Sequence, residues 1–398
     1  MKHKHTNLGQ ILWQLTLLFV LLVALYFSLM VLSYTIPIEK IAVNLHYSLE
    51  TIASETKRWS VMGEFKGTKL DTFTDNLIFN KLTNQEELSA IQAAMWNNGY
   101  ERYWLGDIAV LRPMLMFMSY KHIRYLNIFL VFIVFYFSMT KVEKAISRTY
   151  AYLLMTMLLL IHFWIFPLSL QYTPVFIISL LGIVAVIAIH QRYGYRLSKM
   201  VLLFFTIGSV TNFFDLLTVP LLTFAFPWMI YFVLVNQHHR RHFKHNLSET
   251  VILGWTWFMG YGLTWASKWS IGSVILKDNS FANVANQIAL RTGGKTDEVL
   301  DAIEIIKNMW KILLPKTAMI ILVVWLIILL VQSFKGVKSY QHWLSTTPLL
   351  MVALVPFVWV FILKNHNFHH AYFTYRLFII TLFSVYTYLY LNLKQRNE

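Results

Sequence analysis

The chain has 398 residues, of which 57% are hydrophobic and only 13% charged, and its mean hydropathy is positive. That composition excludes a water-dispersed globular protein and asks for a bilayer as solvent. The formal charge of +15 would suit nucleic acid, but no basic tail and no basic module with interleaved aromatic side chains is present, and the absence of cysteine removes disulfides, thiol nucleophiles and cysteine metal sites.

Apolar runs able to cross ~30 Å of hydrocarbon lie near 11–34, 127–139 with its preceding turn, 149–166, 175–190, 200–213, 219–235, 250–266, 317–334, 347–363 and 377–393. The first is too long for a signal peptide and no small-residue cleavage site follows it. These runs predict an all-α polytopic membrane protein of about ten transmembrane helices, forming one domain over 1–398. With residues 1–10 and the C-terminus cytoplasmic, the short loops on that side hold about 15 of the 34 Lys and Arg side chains in roughly 52 residues, the bias of cytoplasmic loops. The run 238–245, rich in His and Arg, fits that face as a topology signal that meets anionic headgroups.

Two long segments, 36–124 and 268–316, then face outward and read as ordered surface helices. In the first, Thr83-Asn84-Gln85-Glu86 has capping-box spacing, Leu88, Ile91 and Met95 form a stripe, and Asn97-Asn98-Gly99 supplies a stop. A further helix is expected to start near Pro113 and run through Met118 into the next span. In the second segment, Gly293-Gly294 precedes an amphipathic stripe of Val299, Ile303, Ile306 and Trp310.

The chemistry-bearing residues gather in the outward loops. Asp71 and Asp75 sit in Lys69-Leu70-Asp71-Thr72-Phe73-Thr74-Asp75, where a carboxylate near a low-dielectric surface serves as general base or cation ligand; the plainer reading is a pair of solvated caps. Tyr103, Trp104 and Asp107 precede Arg112-Pro113, where Arg and a helix N-terminus suit a phosphate, or else anchor the chain at the interface. Lys121 and Arg124 read as snorkelling cations. Asp215, beside Thr218 and Pro220, is either a functional acid at membrane depth or a cap for the sixth span. Lys268-Trp269 offers a cation and a ring for a sugar, or an interfacial belt. In the last outward turn, His366, Tyr375 and Arg376 would line a polar cavity that orients a pyrophosphate or a sugar hydroxyl. His366, His369 and His370 lack the pattern and the acidic ligand of a zinc site, so no metal is assigned and a divalent cation is left open.

The order of Thr74-Asp75-Asn76, Tyr103-Trp104, Leu111-Arg112-Pro113, Asn212 to Thr218 and His366 to Arg376 resembles the GT-C class of membrane glycosyltransferases, in particular uncharacterised multi-pass proteins of Gram-positive bacteria. The resemblance implies a sugar donor on a polyprenyl phosphate, a cell-surface glycan or teichoic-acid-type acceptor, and a cell-membrane enzyme with an extracytoplasmic site. It implies that Asp75, or failing it Asp71, is the base, while basic side chains stabilise the departing phosphate. The sequence lacks the paired acidic dipeptide familiar in that loop. It also lacks a nucleotide-binding Gly-rich loop, so the activated sugar would come from the bilayer. A polymerase or ligase of lipid-linked glycans is the alternative within the same class. A lipid or solute transporter ranks below both, because no internal repeat is evident and most acids lie in outward loops.

Overall fold

The computed structural model describes residues 7–55, 60–63, 65–83, 88–97, 100–237, 241–292, 300–333 and 338–393. Among them every regular element is helical, apart from one isolated bridge between Ser60 and Lys69.

Helix α1 (Leu8–Tyr34) opens with a capping box between Asn7 and Gln10. Four elements follow: α2 (Ala42–Ser54), α3 (Thr72–Lys81), α4 (Ala90–Met95) and α5 (Asp107–Leu115). They build a core of their own with the Tyr34 end of α1, around Met30, Ile78, Phe79, Trp104 and Leu111. The bundle continues through α6 (Tyr120–Ala145), α7 (Arg148–Leu160), α8 (Thr173–Tyr193), α9 (Leu197–Phe214), α10 (Leu221–Asn236) and α11 (Phe243–Leu276). Then come α12 (Ser280–Thr292), α13 (Ala302–Leu313), α14 (Lys316–Ser333), α15 (Tyr340–Thr346), α16 (Pro348–Ala353), α17 (Val355–Ile362), α18 (Lys364–His369), α19 (Ala371–Thr374) and α20 (Ile379–Leu393).

Among the described residues seven helical segments are long and apolar enough to cross a membrane: α1, α6, α8, α9, α14, the run Tyr340–Ile362 and the run Ala371–Leu393. Helix α10 is shorter but is the axis of the bundle, with all its residues buried. Helices α9 and α11 approach closely because Gly208 and Gly260 face each other's backbone: a Cβ on Gly208 would strike the Trp257 carbonyl, and one on Gly260 the Phe205 carbonyl.

Several boundaries differ from the sequence reading, each for a local reason. The expected span 149–166 is not one helix. It breaks at His162, which is left-handed (φ 60°), and continues as a 3-10 turn, Phe163–Leu168, that contains Pro167. The run 347–363 is jointed at Pro348 and Pro356, each in the first turn of a new helix. The helix expected to begin at Pro113 begins at Asp107 and ends at Leu115, so Pro113 lies inside it and Ser119 precedes a separate α6.

Residues 84–87 and 98–99, which carry the expected capping box and stop, lie outside the described residues. So do 293–299, with the Gly pair and Val299, and 238–240 of the basic run. The capping box that is present joins Ser89 to Gln92, and the buried face of α4 is Ala93, Ala94 and Met95, with Ile91 exposed. On α13 the buried stripe is Ala302, Ile305, Met309 and Leu313; Ile306 and Trp310 flank it and Ile303 is exposed.

Candidate functional site

The described parts of the two long loops and the last interhelical turn meet at the Tyr34 end of the bundle. The join is built on backbone carbonyls. The Arg376 guanidinium donates from Nη2 to Gly67 O (3.0 Å) and from Nε to Ile161 O (3.0 Å), and Tyr375 Oη donates to Gly67 O (2.9 Å). Tyr172 Oη donates to Lys69 O (3.1 Å). This clamp fixes the 3-10 turn Lys66–Thr68 against α19 and beside α13.

Above the clamp lies an open cleft of about 620 Å³, inside the usual range of small-molecule sites. Lys66 and Lys69 enter it from the first loop, Asn308 and Lys311 from α13, and His369 and Tyr372 from the last turn. Phe65, Ile312 and Phe368 supply apolar wall, and among the described residues no carboxylate lines it. Three ammonium groups from distant parts of the chain, with no acid among them, make a site for an anion rather than a cation. Lysine suits a phosphate whose position varies, since it acts as a point charge on a flexible stem.

The carboxylates lie deeper. Asp75 is 1% exposed and has four donors around it. Tyr120 Oη donates to Oδ2 at 2.5 Å, Ser169 Oγ and Leu170 N donate to Oδ1 at 3.2 and 3.1 Å, and Arg124 Nη2 is 3.9 Å from Oδ2. Burial pushes its carboxyl up to about 6, against the opposing pull of Tyr120 and Arg124. Arg124 does not snorkel: its side chain is buried, forms a two-pronged pair with Glu55, and covers the Tyr120 ring.

Asp71 is the N-cap of α3, accepting from Phe73 N (3.2 Å) and Thr74 Oγ1 (3.3 Å). Asp215 ends α9 and binds the turn that follows it, accepting from Leu217 N and Thr218 N (2.9 Å each) and from Tyr261 Oη (3.1 Å). Burial pushes it to about 6 as well. It therefore organises the connection into α10, whose own N-cap is Pro220.

The other expected site residues are spread over this end. Arg112 donates from Nε to Ser33 O (2.9 Å) and from Nη2 to Ile36 O (2.5 Å) and stacks on Tyr34, so it caps α1. Trp104 Nε1 donates to Thr264 O (2.8 Å), and Lys268 Nζ donates to Met95 O (2.7 Å) near the Trp104 ring, both tying the first loop to α11. Tyr103 is buried, with the Arg102 and Arg291 guanidinium groups over its ring.

His366 lies 3.0 Å from Arg291 Nη1 through Nδ1 and 3.0 Å from Leu217 O through Nε2. These partners assign the neutral tautomer with hydrogen on Nε2. Burial and Arg291 hold its pKa well below the usual value.

Thus His366 joins the Asp215 turn, and Tyr375 with Arg376 forms the floor support of the cleft, while Asp75, Arg112 and Lys268 serve other joints. Lys66, Lys311 and His369, which line the cleft, were not singled out as site residues by the sequence. The available signal was Lys66-Gly67-Thr68-Lys69, two cations around a glycine with no acid between them. Among the described residues no group of three or more His, Asp or Glu side chains is placed to hold a metal ion. Comparison with known proteins finds no matching family model, no matching curated protein and no matching solved structure.

Proposed function

We propose that the chain is a membrane glycosyltransferase of the GT-C kind, with about ten spans, cytoplasmic termini and the basic cleft on the outer face. In this reading the cleft holds the phosphate of a polyprenyl-phosphate sugar, and the acceptor is a cell-surface glycan or teichoic-acid-type polymer. The observation that carries the proposal is the cleft itself: Lys66, Lys69 and Lys311, brought from two long loops to a single hollow with no carboxylate among the described residues of its wall. An exposed cationic hollow next to apolar helices fits an anion that arrives on a lipid.

In the transfer, the acceptor oxygen forms a bond to the sugar's anomeric carbon as the bond from that carbon to the phosphate oxygen breaks. The electron pair stays on the phosphate, where the lysines stabilise it, and the hydroxyl proton passes to a carboxylate. We assign that base to Asp71, two residues beyond Lys69 and held by two long bonds within the first turn of α3, rather than to Asp75, which accepts from three donors on other elements and faces Arg124.

Asp71→Asn tests this without disturbing the fold, because Asn caps a helix as well as Asp does. Membranes carrying Asp71→Asn at normal abundance should lose sugar transfer. Lys66→Gln with Lys311→Gln should weaken retention of a labelled polyprenyl phosphate while binding of the uncharged polyprenol is unchanged. Normal glycan product from Asp71→Asn, or equal retention of both lipids by the lysine variant and the native chain, would overturn the assignment.

A further inference from the structure

A second pocket, of about 220 Å³, lies between α5, α6 and the first turns of α8 and has no part in the cleft. Its polar anchor is Asp107. This residue opens α5 at a fixed place, because Gly106 N donates to Phe213 O (2.8 Å) and a Cβ at Gly106 would meet the Phe213 ring at 2.5 Å. Asp107 is 7% exposed, and its Oδ2 has no hydrogen-bond partner. A buried carboxyl oxygen in that condition is rare in folded proteins and asks for a ligand.

The surroundings define that ligand's chemistry. The charges that bear on Asp107 from neighbouring elements are Asp75 and Asp215, both acids, so the pocket repels an anion. The Thr173 hydroxyl is already spent on Phe166 O and Ser169 O (2.8 Å each). Apart from Asn127 of α6 the remaining wall is apolar, and Val110 and Leu130 in it are exposed. The occupant that fits has an apolar body and presents a hydroxyl, able both to donate and to accept, at its inner end.

We propose that this pocket binds the hydroxyl-bearing end of a bilayer amphiphile, an alcohol or glycolipid headgroup, with Asp107 Oδ2 accepting its hydrogen bond. The site is independent of the cleft and of the reaction assigned to it.

The test uses the full chain in lipid nanodiscs, melted with 1-dodecanol, with dodecyl methyl ether, and with neither. The alcohol should raise the Tm by about 2 °C or more, while the ether, which lacks the donor, should not. Asp107→Leu should abolish the rise and melt no lower than the native chain without alcohol, since it removes a buried group that has no partner. Equal response to alcohol and ether, a response that survives Asp107→Leu, or a large drop in that variant's own Tm would overturn the proposal.

Dicyclohexylcarbodiimide, a lipid-soluble reagent for buried carboxyl groups, gives a second reading on the unaltered chain. Peptide mapping should find the adduct on Asp107, formed at least about twofold more slowly with dodecanol and at the same rate with the ether. No adduct at Asp107, or one that dodecanol does not slow, would sink the site.

Discussion

Replacing Asp75 by Asn should flatten the pH dependence of stability and, on the proposed function, leave sugar transfer in place. Burial pushes the Asp75 carboxyl from 3.8 up to about 6, so the folded chain holds that proton more tightly than the unfolded chain. The stability this confers is full below about pH 4, declines as the pH rises through 6, and is lost above it. At about 1.36 kcal/mol per pKa unit the shift amounts to roughly 3 kcal/mol. Asp215, also raised to about 6, adds a decline of similar size over the same window. Asn is neutral throughout, so Asp75→Asn should remove about half of the combined slope. Its amide nitrogen faces donors, which costs roughly 1–3 kcal/mol at every pH and lowers the whole curve without tilting it. The assay is thermal melting in nanodiscs from pH 4 to 8, where the Asp75 share corresponds to about 4 °C for a chain of 398 residues. A variant that keeps the full native slope would refute the reasoning. Loss of transfer by well-folded Asp75→Asn would refute the purely structural role assigned here to a carboxylate that is 1% exposed.

Other substitutions probe the joints that build the cleft. Arg376→Lys gives up the fork between Ile161 O and Gly67 O; it should cost roughly 2–3 kcal/mol in melting and speed tryptic cleavage after Lys66 and Lys69. Gly208→Ala and Gly260→Ala each drive a methyl into a facing backbone carbonyl and should lose more than ~3 kcal/mol, seen as loss of the monodisperse peak in size-exclusion chromatography. Gly262→Ala, on the same helix as Gly260 with nothing within 4 Å, should instead be neutral or gain up to ~1 kcal/mol. A double-mutant cycle on Glu55 and Arg124 should return a coupling of roughly 1–3 kcal/mol, above the usual value for exposed pairs, because both side chains are largely buried.

Much of the fold was legible because apolar runs need no partner to be recognised. The segments that became α1, α6, α8, α9 and α14 are long and uninterrupted, and hydropathy alone places them. Breaks within a run were not legible in the same way. His162 adopts a left-handed backbone beside Tyr375, 213 residues later in the chain, whose hydroxyl lies 2.9 Å from its Nδ1. Nothing near His162 in sequence announces that partner. Face assignments on short helices held only in part: Met95 is buried and Leu88, Ile306 and Trp310 pack against the core, but Ile91 and Ile303, which complete the 3.6-residue stripes, are exposed. In the site, residue type pointed to polar work but not to its object. Arg112, Arg376 and Lys268 look like anion binders in sequence, and in the structure each spends its donors on backbone carbonyls at a joint between elements. The lysines that do line a cleft stood beside features read for other residues: Lys66 and Lys69 before the Asp71 and Asp75 pair, and Lys311 after the apolar stripe that ends at Trp310.

That division of labour follows from desolvation. A cation buried near a bilayer is tolerable only where carbonyl oxygens or carboxylates surround it, so buried Arg and Lys side chains become fasteners. A cation meant for an exchangeable anion must stay wet enough to let it leave, which places it at the rim, on a flexible stem. Lys66 and Lys311 are exposed and Lys69 half-buried, whereas Asp75 and Asp215 behind them are almost fully buried. Opposite charges are thereby separated by depth: the acids cannot reach out to neutralise the lysines, and the lysines do not neutralise the acids. An anion bound in the cleft would supply the neutralisation that the chain withholds from its lysines. Raising ionic strength should therefore weaken the proposed phosphate-lipid binding in the cleft steeply while barely altering the proposed dodecanol binding beside Asp107, and equal salt sensitivity at the two sites would contradict this separation.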